Sequence, residues 1–349
     1  MDIWLTKFEE FLRSLKRGGK NGTYELCLKV SKYILSLIDQ KKLKSSQDVT
    51  SSINLLSSSI SLTQRILPLE IAVSNIIRRI LHIIREEAAH RAIHISTEKD
   101  RVTTLTDLFH SGQPSEDTPE ISGLQEFIKA EVKNLIEELE THEKNISDQA
   151  LSHINNNEII LTYGYSSTVL NFLKSAYKAG RKFEVLVGES APLLTGHAMC
   201  KELASGGIDT TLITDSSVFA LMSRVSKVII GTRALMANGG LLTEAGRYGV
   251  CLSAQAHCVP VLVTCGLYKL SPLYPFDQDT FNEYLSPFTI ADKPEYDEVE
   301  YINYNVPAFD YVPPELIALY ITDVGGKMNS YLYRLLSEYY SVEDYNSVN

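Results

Sequence analysis

Residues able to do chemistry are concentrated in the stretch KVIIGTRALMANGGLLTEAG, residues 227–246. An apolar run stops at Gly231, and an Asn-Gly-Gly sequence at 238–240 leads into what reads as a helix. Backbone N–H groups at a helix start can bind a phosphate, whereas the same three residues can equally form only a tight turn. The sequence leaves these two interpretations evenly balanced.

Other reactive residue types close the neighbouring apolar runs. Glu189 and Asp215 have the chemistry of acid–base groups, and Cys265 has that of a nucleophile. However, two serines follow Asp215, a pattern typical of a helix N-cap region. Cys265 ends an apolar run with no histidine close in sequence, which is typical of a packed cysteine. The sequence therefore favours structural roles for Asp215 and Cys265.

Five short apolar runs must position these residues. They are EIILTYG, FEVLVGES, TTLITD, KVIIGT and VPVLVTC, and helical stretches at 166–180, 195–206, 216–226 and about 240–257 separate them. Continuous apolar strands that alternate with helices indicate a parallel sheet covered on both faces. Residues 151–349 are therefore predicted to form a Rossmann-like, doubly wound α/β domain, with ligands at the carboxyl ends of its strands.

The first half of the chain reads as helices, so residues 1–150 are predicted to form an all-helical N-terminal domain. Its most periodic segment is AVSNIIRRILHIIREEAAH, in which five residues form a buried stripe: Val73, Ile76, Ile77, Ile80 and Ile84. The basic residues of this segment fall mostly elsewhere on the helix, and such a face is usually solvated. Residues 96–120 are polar and lack any period, which predicts a mobile loop.

Composition narrows the classes of function. The chain has 349 residues and a net charge of −10, which makes nucleic acid an unfavourable direct partner. Five scattered cysteines form no metal or disulfide pattern, which is typical of the reducing cytosol. No glycine-rich nucleotide fingerprint follows the first strand, and no run of 18 apolar residues predicts a membrane span. We therefore expect no cofactor, no metal and no membrane contact.

Several segments carry a resemblance to a known family, among them SNIIRRILHIIREE, EIILTYGYSSTV, AMCKELASGGIDTTLITDSSVFALMSRVSKVIIGT and FDYVPPELIALYITDVGG. Through them the chain resembles the beta subunits of eukaryotic translation initiation factor 2B, the guanine nucleotide exchange factor for initiation factor 2. In the last segment, Pro313 and Pro314 are expected to stiffen the entry to a helix. The resemblance spans almost the whole chain and implies a regulatory subunit without catalysis of its own.

The resemblance also implies partners. The second domain would pair with the delta subunit, and two such pairs with an alpha-subunit dimer would hold the gamma and epsilon subunits. The helical domain would meet the alpha subunit of initiation factor 2, whose phosphorylation turns that substrate into an inhibitor. By family position, Asn157 and His197 would line a pocket where beta and delta subunits meet. Five further residues are candidates for partner contact: Asn155, Glu158, Arg78, Arg79 and Arg85.

The alpha, beta and delta subunits look like relatives of sugar-phosphate isomerases, which place a catalytic cysteine after the first strand and a catalytic aspartate in a Gly-Ala-Asp-Arg sequence. Gly164 and Arg233 stand at those positions here, with Asn238 beyond them. Glycine has no group to transfer a proton, and a guanidinium stays protonated. The resemblance therefore implies a degenerate cleft. The alternatives are an isomerase that uses Cys265 with Asp215, or a protein that binds a phosphate metabolite without turnover.

Overall fold

The computed structural model divides into two compact units. One unit holds the described residues up to Glu140 and again from Tyr339, and the other runs from Thr141 to Glu338. The boundary expected at residue 150 thus falls inside the second unit, and residues 339–341 belong to the first. The structure describes residues 3–17, 22–40, 46–68, 70–100, 123–275, 277–279, 281–290 and 303–341.

The first unit is built from helices, as the apolar periodicity predicts. The five residues of the predicted stripe are all at most 1% exposed. The helices are α1 (Ile3–Arg17), α2 (Thr23–Gln40), α3 (Ser46–Ile66), α4 (Ile71–Asp100) and α5 (Leu124–Ser147), the last of which ends beyond this unit. Because α4 continues to Asp100, the first residues of the predicted 96–120 loop are helical; residues 101–120 lie outside the described residues.

Helix α4 is buried on all sides at its start. Every residue from Ile71 to Arg78 is buried, and Arg78 is 0% exposed. The prediction of a solvated basic face is therefore wrong at Arg78. The physical reason is that other parts of the unit cover this face as well as the apolar stripe, among them Tyr340, which is 3% exposed and lies close to Arg78.

The second unit contains a seven-stranded sheet whose strands include all five predicted runs. Six neighbouring strands are parallel, and only the last pair is antiparallel. The strands are β1 (Ile159–Tyr163), β2 (Glu184–Gly188), β3 (Asp209–Ile213), β4 (Lys227–Gly231), β7 (Val261–Thr264), β9 (Leu319–Thr322) and β10 (Gly325–Lys327). Their order is β10-β9-β7-β4-β1-β2-β3, so the order reverses between β1 and β4.

Helices pack against this sheet because the strands carry apolar side chains on both faces. Val169 and Phe172 pack with strand residues such as Val185 and Ile229, and all four are fully buried. The helices are α6 (Ala150–His153), α7 (Ser167–Lys178), α8 (Thr195–Ser205), α9 (Val218–Met222), α10 (Arg247–Ala256) and α11 (Asn329–Tyr339).

A second, three-stranded sheet replaces part of a predicted helix. Its strands are β5 (Ala234–Leu235), β6 (Leu241–Glu244) and β8 (Phe309–Val312), in the order β5-β6-β8. The helix expected over about 240–257 begins only at Arg247, because β6 pairs antiparallel with β5 on one side and β8 on the other. The helix expected after Pro313 is also wrong, since only a short 3-10 turn, Pro314–Leu316, precedes β9.

Candidate functional site

The reversal of strand order places a crevice at the carboxyl ends of β1 and β4, where doubly wound sheets bind their ligands. Both residues expected from the isomerase comparison lie at this edge. Gly164 directly follows β1, and Arg233 lies two residues after β4. Gly164 is buried, whereas Arg233 is half-buried and its backbone N–H donates to the carbonyl oxygen of Leu242 at 2.9 Å.

Gly164 occupies a position that has no room for a side chain. Its φ is +65°, a value that residues with a Cβ atom rarely adopt. A Cβ atom there would lie 2.9 Å from Thr195 Oγ1 and 3.2 Å from Glu244 Oε2. A cysteine at this position would therefore be strained by its backbone and crowded by its neighbours.

The guanidinium of Arg247 fills the crevice between β1 and β4. Its Nη2 donates to the carbonyl oxygen of Tyr163 at 3.2 Å, and its Nη1 donates to that of Gly231 at 3.1 Å. The Nη2 atom also lies 3.3 Å from Glu244 Oε2, and the residue is only 3% exposed. One buried cation thus joins the ends of two neighbouring strands. Sequence reasoning missed it, although an arginine that opens an otherwise apolar helix was a signal.

Asp215 begins a short 3-10 turn, Asp215–Ser217, that leads into α9, so it lies at a helix start and has a structural role, as the sequence favours. Its carboxylate accepts hydrogen bonds from the backbone N–H groups of Ser190, at 3.0 Å, and Ala191, at 2.7 Å. It also accepts the hydroxyl of Tyr163, whose pKa is raised by burial and by the charge of Asp215. Asp215 therefore holds the loop after β2 in place.

The Asn-Gly-Gly sequence forms a tight turn between β5 and β6. The N–H of Gly239 donates to the carbonyl oxygen of Met236 at 2.8 Å, and the N–H of Gly240 donates to Asn238 Oδ1 at 2.9 Å. Asn238 Nδ2 in turn donates to the hydroxyl of Tyr311 at 2.6 Å. Because these amides bond within the hairpin, they are not available to a phosphate. Of the two interpretations that the sequence left open, a phosphate site and a tight turn, these hydrogen bonds support the tight turn.

Cys265 and Asp215 are too far apart to act together. They follow β7 and β3, which are separated by four strand spacings, or about 19 Å. Cys265 is also fully buried, and burial raises the pKa of its thiol to about 12. Glu189 follows β2 and is half-buried; its backbone N–H donates to Ile213. These positions do not assemble a replacement acid and nucleophile.

Comparison with known proteins places the chain in a family. The sequence profile of the initiation factor 2 subunit family matches residues 19–328. The eIF2B subunit beta of Dictyostelium discoideum is 37% identical over 96% of this chain and 95% of its own length. The chain belongs to the initiation factor 2 subunit family. The eIF2B subunit beta of Schizosaccharomyces pombe is 33% identical, over 95% of each chain.

Solved structures of this family share the fold. The crystal structure of eIF2B beta from Chaetomium thermophilum matches with a TM-score of 0.72 at 24% identity, over 97% of this chain and 93% of that one. A chain of the tetrameric eIF2B-beta2-delta2 complex from C. thermophilum matches with a TM-score of 0.70 at 23% identity, over 96% and 95% of the two chains. The predicted fold class, a helical region followed by a mostly parallel α/β sheet, is thereby confirmed.

The structure does not bring together the two residues expected to line the family's subunit pocket. Asn157 is exposed at the amino end of β1 and lines an open cavity of about 540 Å³ with Glu184 and Asp209. His197 is exposed in the first turn of α8, which follows the opposite end of β2. Within one chain, therefore, Asn157 and His197 lie at opposite ends of the sheet and do not share a pocket.

Asn155 and Glu158 belong to a local network beside that cavity. The backbone N–H of Asn155 donates to Glu158 Oε2 at 2.9 Å, and Lys227 Nζ lies 2.9 Å from Glu158 Oε1. Burial alone would raise the pKa of Glu158, but the bonds from Asn155 and Lys227 outweigh burial and lower it. Glu158 thus fixes the turn before β1, and Asn155 remains exposed.

The three arginines of α4 that were predicted to contact a partner differ in their surroundings. Arg78 is fully buried, which is incompatible with the predicted partner contact. The guanidinium of Arg79 lies 2.6 Å from a carboxylate oxygen of Glu138 and 4.3 Å above the ring of Tyr339. Arg85 is half-buried. Arg78 and Arg79 therefore face parts of their own unit, including the end of the chain.

Neither a membrane-spanning helix nor a cluster of metal ligands is found among the described residues. None of the helices in those ranges is both long and apolar enough to cross a membrane. Among the same residues, no group of three or more histidine, cysteine, aspartate or glutamate side chains could hold a metal ion.

Proposed function

We propose that this chain is a non-catalytic, regulatory subunit of the translation initiation factor 2B complex, in the place that beta subunits occupy. The observation that carries this proposal is the 37% identity to an eIF2B subunit beta over almost the full length of both chains. A structural relative forms a beta2-delta2 tetramer. By analogy the chain pairs with a delta subunit, and the assembly includes the alpha, gamma and epsilon subunits in the cytosol.

The filled crevice supports a role without catalysis. Gly164 offers no nucleophile and has no room for one, and Arg247 occupies the space between β1 and β4. Arg233, in the position of the isomerase acid, carries a group that does not release its proton at any working pH. A general acid or base commonly contributes about 10²–10⁴ in rate. The fold then retains binding surfaces and the capacity to transmit conformational change.

The regulatory role follows from coupling between subunits. We propose that the helical unit binds the alpha subunit of initiation factor 2 and distinguishes its phosphorylated form. Coupling of this kind requires two global arrangements that make different contacts with the two forms of the substrate. The effect reaches the epsilon subunit, which catalyses exchange, through the contacts among the regulatory subunits.

Co-expression with a delta subunit tests the proposal. A tag on the delta subunit is expected to recover this chain, and native mass measurement is expected to give a one-to-one pair or its dimer. The chain expressed alone is expected to self-associate, because a surface built for a partner is left exposed. Recovery of a monodisperse monomer that does not bind the delta subunit would contradict the proposal.

A further inference from the structure

Ser341 lies against helix α4 of the first unit. Its Oγ atom is 3.0 Å from Nδ1 of His82, and the residue is half-buried. The two residues before it fix its position, because Tyr340 is buried and the ring of Tyr339 stacks against the guanidinium of Arg79 at 4.3 Å. The Ser341 hydroxyl is therefore held at a defined point beside α4.

The face of α4 that contacts Ser341 is rich in positive charge. On a helix, the nearest neighbours of a side chain are those three and four positions away. For His82 these positions hold four charged residues: Arg78, Arg79, Arg85 and Glu86. Glu86 Oε2 lies 3.5 Å from Nε2 of His82, which is the ring nitrogen that does not contact Ser341. Along this face of α4, three arginines therefore stand against one glutamate, and Ser341 presents a neutral oxygen to them.

The residues after Ser341 have the charge pattern of a kinase acceptor site. The sequence reads Ser341-Val342-Glu343-Asp344, with carboxylates two and three positions after the hydroxyl. Both carboxylates lie outside the described residues. Protein kinases select their substrates partly by the charge pattern around the acceptor hydroxyl. A kinase whose substrate groove is basic favours a serine followed by carboxylates, so the pattern indicates a kinase of this acid-directed class.

We propose that Ser341 is a phosphorylation site and that its phosphate fastens residues 339–341 to α4. Because Ser341 is half-buried, these residues open locally before the reaction. A bond forms between Ser341 Oγ and the γ-phosphorus of a nucleoside triphosphate, the bond from that phosphorus to the β-phosphate oxygen breaks, and the hydroxyl proton passes to the base of the kinase. The phosphate carries a charge of about −1.5 to −2 and accepts hydrogen bonds from cations. When the segment closes again, His82 and the neighbouring arginines of α4 supply those cations.

Treatment of the full chain with ATP and an acid-directed kinase of the casein kinase type tests the modification. Tandem mass spectrometry is expected to find a phosphate on Ser341. Glu343→Gln with Asp344→Asn is expected to slow this modification at least about tenfold, because two charge-assisted contacts with the kinase are lost. The matched control is Glu338→Gln, which removes an exposed carboxylate on the other side of Ser341 and is expected to leave the rate unchanged.

Amide hydrogen exchange tests whether the phosphate fastens the segment. Phosphorylation is expected to slow exchange at the start of α4 at least about tenfold, because each hydrogen bond from a cation to the phosphate makes opening of residues 339–341 less favourable. Ser341→Ala, treated with the same kinase and ATP, is the control for phosphates elsewhere in the chain. His82→Ala is expected to remove part of the slowing, whereas Arg13→Ala, which removes a guanidinium paired with Glu9 on α1, leaves it unchanged. Circular dichroism verifies that His82→Ala is folded.

Two results would overturn the inference. The first is a full chain in which Ser341 stays unmodified, whether or not a peptide of residues 337–349 is phosphorylated under the same conditions. The second is a phosphate on Ser341 that leaves exchange in α4 unchanged or quickens it, since the phosphate would then not fasten the segment. Neither measurement requires another subunit, so the proposed function can fail while the phosphorylation site stands, and the reverse also holds.

Discussion

At the scale of single residues, the crevice at the ends of β1 and β4 depends on the absence of a side chain at Gly164 as well as on the side chains around it. Gly164 adopts a left-handed conformation, and the space beside it is taken by Thr195 and Glu244. The identity of residue 164 could be read from the sequence, but its conformation could not. The crowding depends on Thr195 and Glu244, which come from distant parts of the chain and meet it only in the folded sheet.

Substitution of Gly164 tests this crowding. Gly164→Ala and Gly164→Cys are each expected to lower the free energy of unfolding by about 1–3 kcal/mol, because a Cβ atom is strained at positive φ and contacts Thr195 too closely. Gly249→Ala is the control, since a Cβ atom there meets nothing within 4 Å in helix α10. The control is expected to be neutral or stabilising by up to about 1 kcal/mol. If urea denaturation showed the same decrease in the free energy of unfolding for Gly164→Ala and Gly249→Ala, the crowding at Gly164 would be contradicted.

Glu158 gives a prediction about pH. Its pKa in the folded chain lies below the ordinary value of 4.5, so the carboxylate stabilises the fold above that value. This contribution is lost as the pH falls through the lowered pKa. Glu158→Gln is therefore expected to reduce the free energy of unfolding at neutral pH and to have little further effect in strong acid. The exposed control Glu338→Gln is expected to change the free energy of unfolding at neutral pH by less. If both variants showed the same dependence of this free energy on pH, the network of Glu158 with Asn155 and Lys227 would not stabilise the fold.

At the scale of elements, the five predicted strands were predictable because each is a short apolar run that ends at glycine, serine, threonine, aspartate or cysteine. Strand β6 was not, because Leu241 and Leu242 fit the buried side of a helix as well as they fit a strand. Only pairing with β5 and β8 decides between the two, and the pairing with β8 joins residues far apart in sequence. The role of Arg247 in the crevice could not be predicted for the same reason, because its guanidinium reaches both strand ends only when β1 and β4 are neighbours in the folded sheet.

Removing Arg247 tests how the two strands are joined. Arg247→Ala is expected to lower the free energy of unfolding by about 3 kcal/mol, because buried carbonyl oxygens lose their donors and Glu244 loses its partner. Arg247→Lys is expected to recover only part of this loss, since an ammonium cannot reach both strand ends in the same geometry. Arg224→Ala, an exposed arginine of the same unit, is the control. A loss at Arg247 no larger than the control's would show that the strands do not depend on it.

At the scale of the whole molecule, the first unit is made from two separate parts of the sequence. Tyr339 stacks against Arg79, Tyr340 is buried, and Ser341 Oγ lies 3.0 Å from His82 Nδ1. The sequence identified two domains but assigned the end of the chain to the second. The apolar pattern of α11 continues smoothly toward Tyr340, and no composition change marks where the second unit stops.

Tyr340 provides a test of this arrangement. Tyr340→Ala is expected to destabilise the chain by about 3 kcal/mol, as is usual when a buried aromatic side chain is truncated. Amide hydrogen exchange should then quicken along the start of α4. The exposed Tyr333→Ala is expected to change stability by no more than about 0.5 kcal/mol. Unchanged exchange in α4 would show that the C-terminal residues are not part of this unit's core.

The divided first unit has a consequence for how the polypeptide is made. Synthesis proceeds from the amino end, so α1 to α4 leave the ribosome more than two hundred residues ahead of Tyr339 and Tyr340, which complete their core. The sheet unit between them is continuous in sequence and can fold while the helices still lack those partners. The helical bundle is therefore the last part of the nascent protein to reach its final form, and until then its incompletely covered apolar residues are open to chaperones.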